Sequence, residues 1–457
     1  MATTPRQPAG LVRSALGIAF IVSACGGATV SGSAAPSPLA SAAGGGTPTA
    51  GSPTAPASAS VGGTVVWWVP GPDAIQGTSE GIAAQCSTDT GVKVDMQMSP
   101  WDGYTTKITT AITSGQVPDL VEIGNTDAPT LANTGAFMAW GDTELAAIGG
   151  KDQFVGESLS AYVPTGQQPP SVPFSAGSWL LLYNKDLFKQ AGIAAPPTTW
   201  AQFYDDAKKL SDPAKDQFGV AIAGGTPGAM NTWAWIVGQQ FGVPYYTADG
   251  KPQVNTPAMV QAMTDLASWV YPDQIMSPTA VADNSNGDNA LFANGKAAMD
   301  ITQNPQAAID HPDKYGIGPI PLPDPLPTGG KPIMSHLAGV NLAVFKDSKN
   351  HDGALAVVKC LLGAAAQVAE AKGNVGLPVT KAGLADPYFQ TPSMKAYGEI
   401  LAHAAATPTE ASSSVLLQGV GDALVRLYQT SASTKAVDKA EVERALKAVE
   451  ETVNAGG

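Results

Sequence analysis

Charge is scarce in this chain, and histidine and cysteine are scarcer. Only 14% of its 457 residues are charged, and the acids outnumber the bases to a net charge of −13. That balance offers no basic patch to nucleic acid or to an anionic membrane surface. The four histidines, His311, His336, His351 and His403, form no ligand-spaced pair, so no metal site or other cofactor site is expected. No stretch after Gly62 is long and apolar enough to cross a bilayer, and no internal repeat is visible.

Charge is also missing locally: no charged residue occurs between Arg13 and Asp73. Arg6 and Arg13 precede "SALGIAFIVSAC", which is uncharged, mostly apolar and too short to span a membrane as a mature helix. This is the layout of a secretory signal. Its small-residue ending at Cys25 resembles a bacterial lipobox, which implies a signal peptide over residues 1–24 and a lipid on Cys25. Residues 25–61 are almost wholly Ala, Gly, Ser, Thr and Pro. Such a segment buries too little apolar surface to offset its chain entropy, so it reads as a disordered tether. A folded head just outside the membrane is expected beyond it. In that oxidising compartment the two remaining cysteines, Cys86 and Cys360, either pair or stay as separate buried thiols.

The head is too long for one typical core, so two lobes are expected. From Val65 the chain alternates strand-like and helix-like pieces: "TVVWWV", "SEGIAAQCSTDTG", "VKVDMQM", "GYTTKITTAITSG" and "DLVEI". This predicts an α/β lobe with a largely parallel sheet. Ligands of such sheets sit beyond the carboxyl ends of the strands. A second informative stretch is "LLLYNKDLFKQAGIAAPPTTW", Leu180 to Trp200. Asn184 is placed to cap a helix, Gly192 to stop it, Pro196 and Pro197 to forbid its continuation, and Thr199 to cap the next. Nothing in this joint is reactive.

The joint, with "VPFSAGSW" before it, resembles a segment of the extracytoplasmic solute-binding proteins of carbohydrate-uptake ABC transporters, the maltose-binding-protein-like group. "TDTGVKVDM" and "TSGQVPDLVEIG" resemble that family's first lobe, and "ADGKPQVNTPAMVQAM" and "ALFANGKAAMDI" its second. "VNLAVFKDSKNHDGALAVVKCLL" and "KGNVGLPVTKAG" resemble its return to the first. The resemblance implies a periplasmic-binding-protein-like clamp (type II) of two α/β lobes joined by hinge strands. Lobe one would comprise 62–175 plus 338–386, and lobe two 178–335 plus 390–457. The crossings would lie near Ala176–Gly177, Ser335–Leu337 and Pro387–Gln390. Cys86 and Cys360 would then face each other within lobe one.

The implied ligand is a mono- or oligosaccharide, and the implied partner is a membrane permease. The protein is expected to be a monomer, without catalysis and without nucleic acid. A sugar needs amide, carboxylate or hydroxyl partners and a flat aromatic platform. The family's contact regions fall here on Trp68, Pro70 and Asp73; Trp101 and Tyr104; and Asn125 and Thr126. They continue at Ser178 and Trp179, Asn231 and Trp233, Gln303 and Asn304, and Gly339 and Asn341. Trp101 and Trp233 sit in loop-like surroundings and are expected to face the ligand. Trp68, Trp200 and Trp235 are expected in the core. Two stacking tryptophans found in many relatives are missing, at Pro305 and Val340, which leaves the sugar unspecified. The alternatives are a secreted carbohydrate-active hydrolase, or the same clamp carrying a glycerophosphodiester, polyamine or peptide. "GTSEG" at Gly77–Gly81 matches a nucleophile elbow but stands too far from the strand before it. "ADNSNGDNALF" is rich in oxygen ligands yet misaligned with a calcium loop.

Overall fold

The computed structural model describes residues 62–456, apart from residues 102, 157, 164–165 and 283–289 and the side chain of Asp73. Cys25, the expected signal peptide and the tether fall outside the described residues, as does the centre of the "ADNSNGDNALF" stretch. In chain order the strands are β1 (Thr64–Pro70), β2 (Lys93–Ser99), β3 (Leu120–Gly124), β4 (Val172–Gly177), β5 (Leu180–Asn184), β6 (Phe218–Ile222) and β7 (Tyr245–Tyr246). After them come β8 (Pro252–Gln253), β9 (Ala297–Thr302), β10 (Tyr315–Gly318), β11 (Ser335–His336), β12 (Ala338–Val344), β13 (Leu377–Pro378) and β14 (Ala404–Ala405).

Two larger sheets organise the head. The first has the order β13-β4-β12-β3-β1-β2 and the second the order β10-β5-β9-β6. β1 runs parallel to β2 and β3, as the alternation predicts. Beyond β3 the first sheet departs from that expectation, because β12 pairs antiparallel with both β3 and β4. The reason is its route: β12 enters from the second sheet, so it runs against the strands that point toward that sheet. The chain passes from the first sheet to the second at Ser178–Trp179, between β4 and β5. It returns at Leu337, between β11 and β12.

Each sheet is packed on both faces. Val65, Trp67, Leu342 and Phe174 share one face of the first sheet, with the ring of Trp67 edge-on to Phe174 at 6.3 Å. Val121, Ile123 and Ala343 occupy the other. Cys86, on the helix Gln76–Thr90, and Cys360, on the helix His351–Leu361, are joined by a disulfide against the first of these cores. The Leu180–Trp200 joint forms as its residues dictate. Asn184 accepts from the backbone NH groups of Asp186 and Leu187 and starts the helix Lys185–Gln190. Gly192 adopts a φ of 67°, and Thr199 forms a capping box with Gln202 ahead of the helix Trp200–Lys209. The helix Ser413–Thr434 lies along the helix Pro227–Gln240 and completes the second core.

Candidate functional site

The carboxyl end of β3 carries the most informative cluster. Gly124 leaves its Cα uncovered, and the ring of Trp101 lies over it: a Cβ there would sit 3.5 Å from a ring carbon. Trp101 is 43% exposed, far more than its neighbours require, and stands edge-on to Tyr104 at 6.1 Å. Asn125 follows. Its backbone NH donates to the Gly339 carbonyl at 3.1 Å and its Nδ2 to the Leu337 carbonyl at 3.3 Å. Its Oδ1 is buried and accepts from no described residue. Thr126 is half-buried beside it. Asp127 takes one hydrogen bond from Thr105 Oγ1 at 3.0 Å and one from Ser414 Oγ at 2.5 Å. Thr130 reaches the Ala411 carbonyl at 3.0 Å. The loop ahead of the helix Ser413–Thr434 therefore meets the end of β3 directly.

The crossings are pinned by tyrosines and one serine. Tyr397 Oη accepts from the Ser178 NH at 3.1 Å, and burial pushes its phenol up to about 12. Ser335 Oγ accepts from the Trp179 NH at 2.6 Å and donates to the His336 carbonyl at 3.0 Å, tying one crossing to the other. Tyr162, whose phenol also lies against Thr407, donates to the Leu337 carbonyl already used by Asn125. Burial pushes the His336 imidazole down to about 3, so it stays neutral. Gly339 is held at a φ of 134°, where a Cβ would lie 2.0 Å from the Ser175 carbonyl oxygen.

Several sequence expectations are corrected here. Trp233 does not stand in a loop: Thr226 and Pro227 open the helix Pro227–Gln240, and Trp233 is fully buried on it. Its ring packs against Trp179, Trp200 and Trp269, with centroids 5.8, 6.1 and 6.2 Å away. Trp179 belongs to the same cluster, its indole NH donating to Thr232 Oγ1 at 3.0 Å, so neither ring offers a face to a ligand. Tyr104 is buried, and its hydroxyl donates to the Trp68 carbonyl at 3.1 Å. Strand alternation buries Trp67 in one core and turns Trp68 to the opposite face, where it is half-buried against the second of this sheet's two cores. There its Nε1 donates to Gln97 and Lys107 Nζ sits 4.0 Å above the ring.

Of the other expected positions, Pro70 is buried at the end of β1, and Asp73 opens a 3₁₀ turn. Asn341 is buried within β12, opposite Ile123 of β3. Asn231 lies on the buried face of the Pro227–Gln240 helix, with an Oδ1 that no described residue bonds. Gln303 is half-buried, and Asn304 Oδ1 accepts from the Gln306 NH at 2.9 Å, a local turn. Sequence reasoning missed the segment Thr407–Ser414, whose Ser412 meets Tyr246 Oη at 3.0 Å and whose Ser414 meets Asp127. Its run of hydroxyls, "TPTEASSS", was the available signal.

The chemistry on offer is amide, hydroxyl, an open indole face and the carboxylates of Asp127 and, within Thr407–Ser414, Glu410. Ser79 of "GTSEG" is buried within the helix Gln76–Thr90, not exposed on an elbow. Among the described residues no three His, Cys, Asp or Glu side chains gather as metal ligands would.

Known proteins carry the same architecture. Maltose-bound MalE3 of T. maritima superposes with a TM-score of 0.71 at 18% identity, over 86% of this chain and 100% of that one. A tagatose-bound ABC transporter solute-binding protein of Thermotoga lettingae gives 0.70 at 21%, over 86% and 99%. The fold is thus the two-sheet α/β clamp of type II periplasmic binding proteins. In sequence, a binding protein of Brucella abortus (strain 2308) is 27% identical over 59% of this chain, and the match spans 64% of that relative's length. The diacetylchitobiose-binding protein DasA of Streptomyces coelicolor is 27% identical over 69% of this chain and 73% of its own. The sn-glycerol-3-phosphate-binding protein UgpB of Rhizobium meliloti is 27% identical over 53% and 57%. These relatives are binding proteins by name. Residues 71–368 match the model of the bacterial extracellular solute-binding proteins, and the chain belongs to that family.

Proposed function

We propose that the protein captures a neutral mono- or oligosaccharide between two lobes and delivers it to the permease of an ABC importer. In this reading lobe one is 62–175 plus 338–386, lobe two is 178–335 plus 390–457, and a lipid on Cys25 holds a monomer at the extracytoplasmic face of the cell membrane. It performs no catalysis. The observation that carries the reading is Trp101, an exposed ring laid over Gly124 beside Asn125 and Asp127. An indole face suits the C–H face of a sugar, and the amide and carboxylate suit its hydroxyls. A glycerophosphate cargo, suggested by the likeness to UgpB, calls for arginine, lysine or a helix N-terminus. The N-terminus of the helix Ser413–Thr434 does stand at this site, but its Ser414 is already taken by the Asp127 carboxylate, and Asn125, Thr126, Asp127 and Ser414 include no arginine or lysine.

A thermal-shift panel on the purified protein tests this, with diacetylchitobiose, maltose, tagatose and glycerol 3-phosphate as the first probes. A neutral sugar should raise the melting temperature, and Trp101→Ala should weaken its binding by roughly 1–3 kcal/mol. A shift with glycerol 3-phosphate and none with any sugar refutes the proposed cargo.

A further inference from the structure

The bond between Asp127 and Ser414 joins the first sheet to the second core at a place where neither side chain serves its own element. Asp127 stands at the N-cap of the short helix Ala128–Ala132, where an aspartate ordinarily accepts from the second or third backbone NH of its helix. Pro129 has no NH to give, and Asp127 makes no such cap. Its carboxylate turns away, one oxygen held by Thr105 Oγ1 at 3.0 Å and the other by Ser414 Oγ at 2.5 Å. Thr105 belongs to the helix Tyr104–Ser114, which packs on the first sheet, so the carboxylate is fixed from that side.

Ser414 rides on the other side. It is the second residue of the helix Ser413–Thr434, whose Leu416 and Leu417 are buried in the second core. This helix has no acidic side chain in its first turn and no side-chain cap from Ser412. Asp127 brings a carboxylate to the partial positive charge of its N-terminus, and the Ser414 hydrogen bond to it is charge-assisted. A second tie lies beside the first: the Ala411 carbonyl accepts from Thr130 Oγ1 at 3.0 Å. Ser412, meeting Tyr246 Oη at 3.0 Å, keeps the turn on the second core. The chain crosses between the sheets at Ser178–Trp179 and Leu337, so a rotation about those crossings would carry Ser414 and Ala411 away from Asp127 and Thr130.

We propose that Asp127 and Ser414 form a clasp that holds the two lobes closed, with Thr130 and Ala411 as its second tie. The clasp deepens the proposed function and rests on its two-lobe reading. A Cβ on Gly124 would lie 3.5 Å from a ring carbon of Trp101 and 3.8 Å from Asp127 Oδ2, so the clasp fastens beside the indole on which a sugar would stack. Ser414 is therefore a positioning residue, acting on a bound sugar through Asp127 and the closure of the lobes. Removing its hydroxyl removes a bond that only the closed arrangement makes, and the population shifts toward the open one.

Pulsed electron paramagnetic resonance on the whole protein tests this. Spin labels on Thr113→Cys, in the helix Tyr104–Ser114, and Gln261→Cys, in the helix Pro257–Ser268, occupy exposed positions and report the separation of the lobes. In the empty protein, Ser414→Ala should add a second population to the distance distribution, while Ser414→Thr, which keeps the hydroxyl, should match the wild type. Thr130→Val removes the second tie and should give a smaller change of the same kind, which decides the matter where Ser414→Ala fails to fold. Superimposable distributions for the wild type and these two hydroxyl-lacking variants overturn the clasp. Stopped-flow fluorescence is the second readout, with whichever of diacetylchitobiose, maltose and tagatose raises the melting temperature. Release from Ser414→Ala should be roughly tenfold faster or more, with association changed far less. Release at the wild-type rate overturns the clasp equally. Failure of every sugar to bind the wild type refutes the cargo alone, because the distance measurement needs no ligand.

Discussion

Replacing Trp233 with alanine separates the reading of this residue as core from its reading as a ligand contact. The ring is fully buried among Trp179, Trp200 and Trp269. A large aromatic buries on the order of 200 Å², which at ~25 cal/mol per Å² is about 5 kcal/mol of transfer energy. Alanine retains a little of that and the cavity adds a penalty, so a loss of roughly 3–5 kcal/mol is expected. Trp101 is the internal comparison. It is already 43% exposed, so Trp101→Ala should remove at most about half as much stability, and its main effect should be on binding. Urea unfolding followed by far-ultraviolet circular dichroism measures both without relying on tryptophan emission. Should Trp233→Ala prove too unstable to purify, Trp233→Phe keeps part of the ring and should lose an intermediate amount. Equal midpoints for the Trp233 and Trp101 variants would refute the core assignment and return Trp233 to the cleft.

Gly339→Ala should cost several kcal/mol and disturb the second crossing, because its Cβ would meet the Ser175 carbonyl oxygen at 2.0 Å; melting temperature and soluble yield report it. Thiol titration of the denatured, unreduced protein should find neither Cys86 nor Cys360 free, and two reactive thiols from these positions would contradict the bridge. Asn125→Ala should weaken sugar binding and also free the Leu337 carbonyl from one of its two donors, which calorimetric titration and melting would register together. Cys25→Ala should release the protein from membranes, and retention through a high-salt wash would rule out the proposed lipid anchor.

Local signals proved most readable where the chain makes short-range decisions. The cap at Asn184, the stop at Gly192 and the capping box at Thr199 are each settled within four residues, and all three form. The two tryptophans of "TVVWWV" were harder. A strand buried on both faces reads as a continuous apolar run, so only packing against Phe174 and Lys107 tells which ring goes inward. Trp233 was misread although its signal was present: Thr226 followed by Pro227 is a helix start, and it places the ring one and a half turns inside. The meeting of Asp127 with Ser414 joins positions 287 residues apart, and no periodicity or motif announces a contact of that kind.

The insertion of β12 between β3 and β4 also sets the order in which the chain can fold. Until residues 338–344 are available, β3 has an unpaired edge and β4 has no neighbour in its sheet, since β13 arrives later still. Cys86 likewise waits for Cys360, 274 residues on. Closing contacts of such long range is slow, because a large loop must be ordered before any of them forms. A chain that begins synthesis with its first sheet therefore cannot finish that sheet until most of its length has emerged.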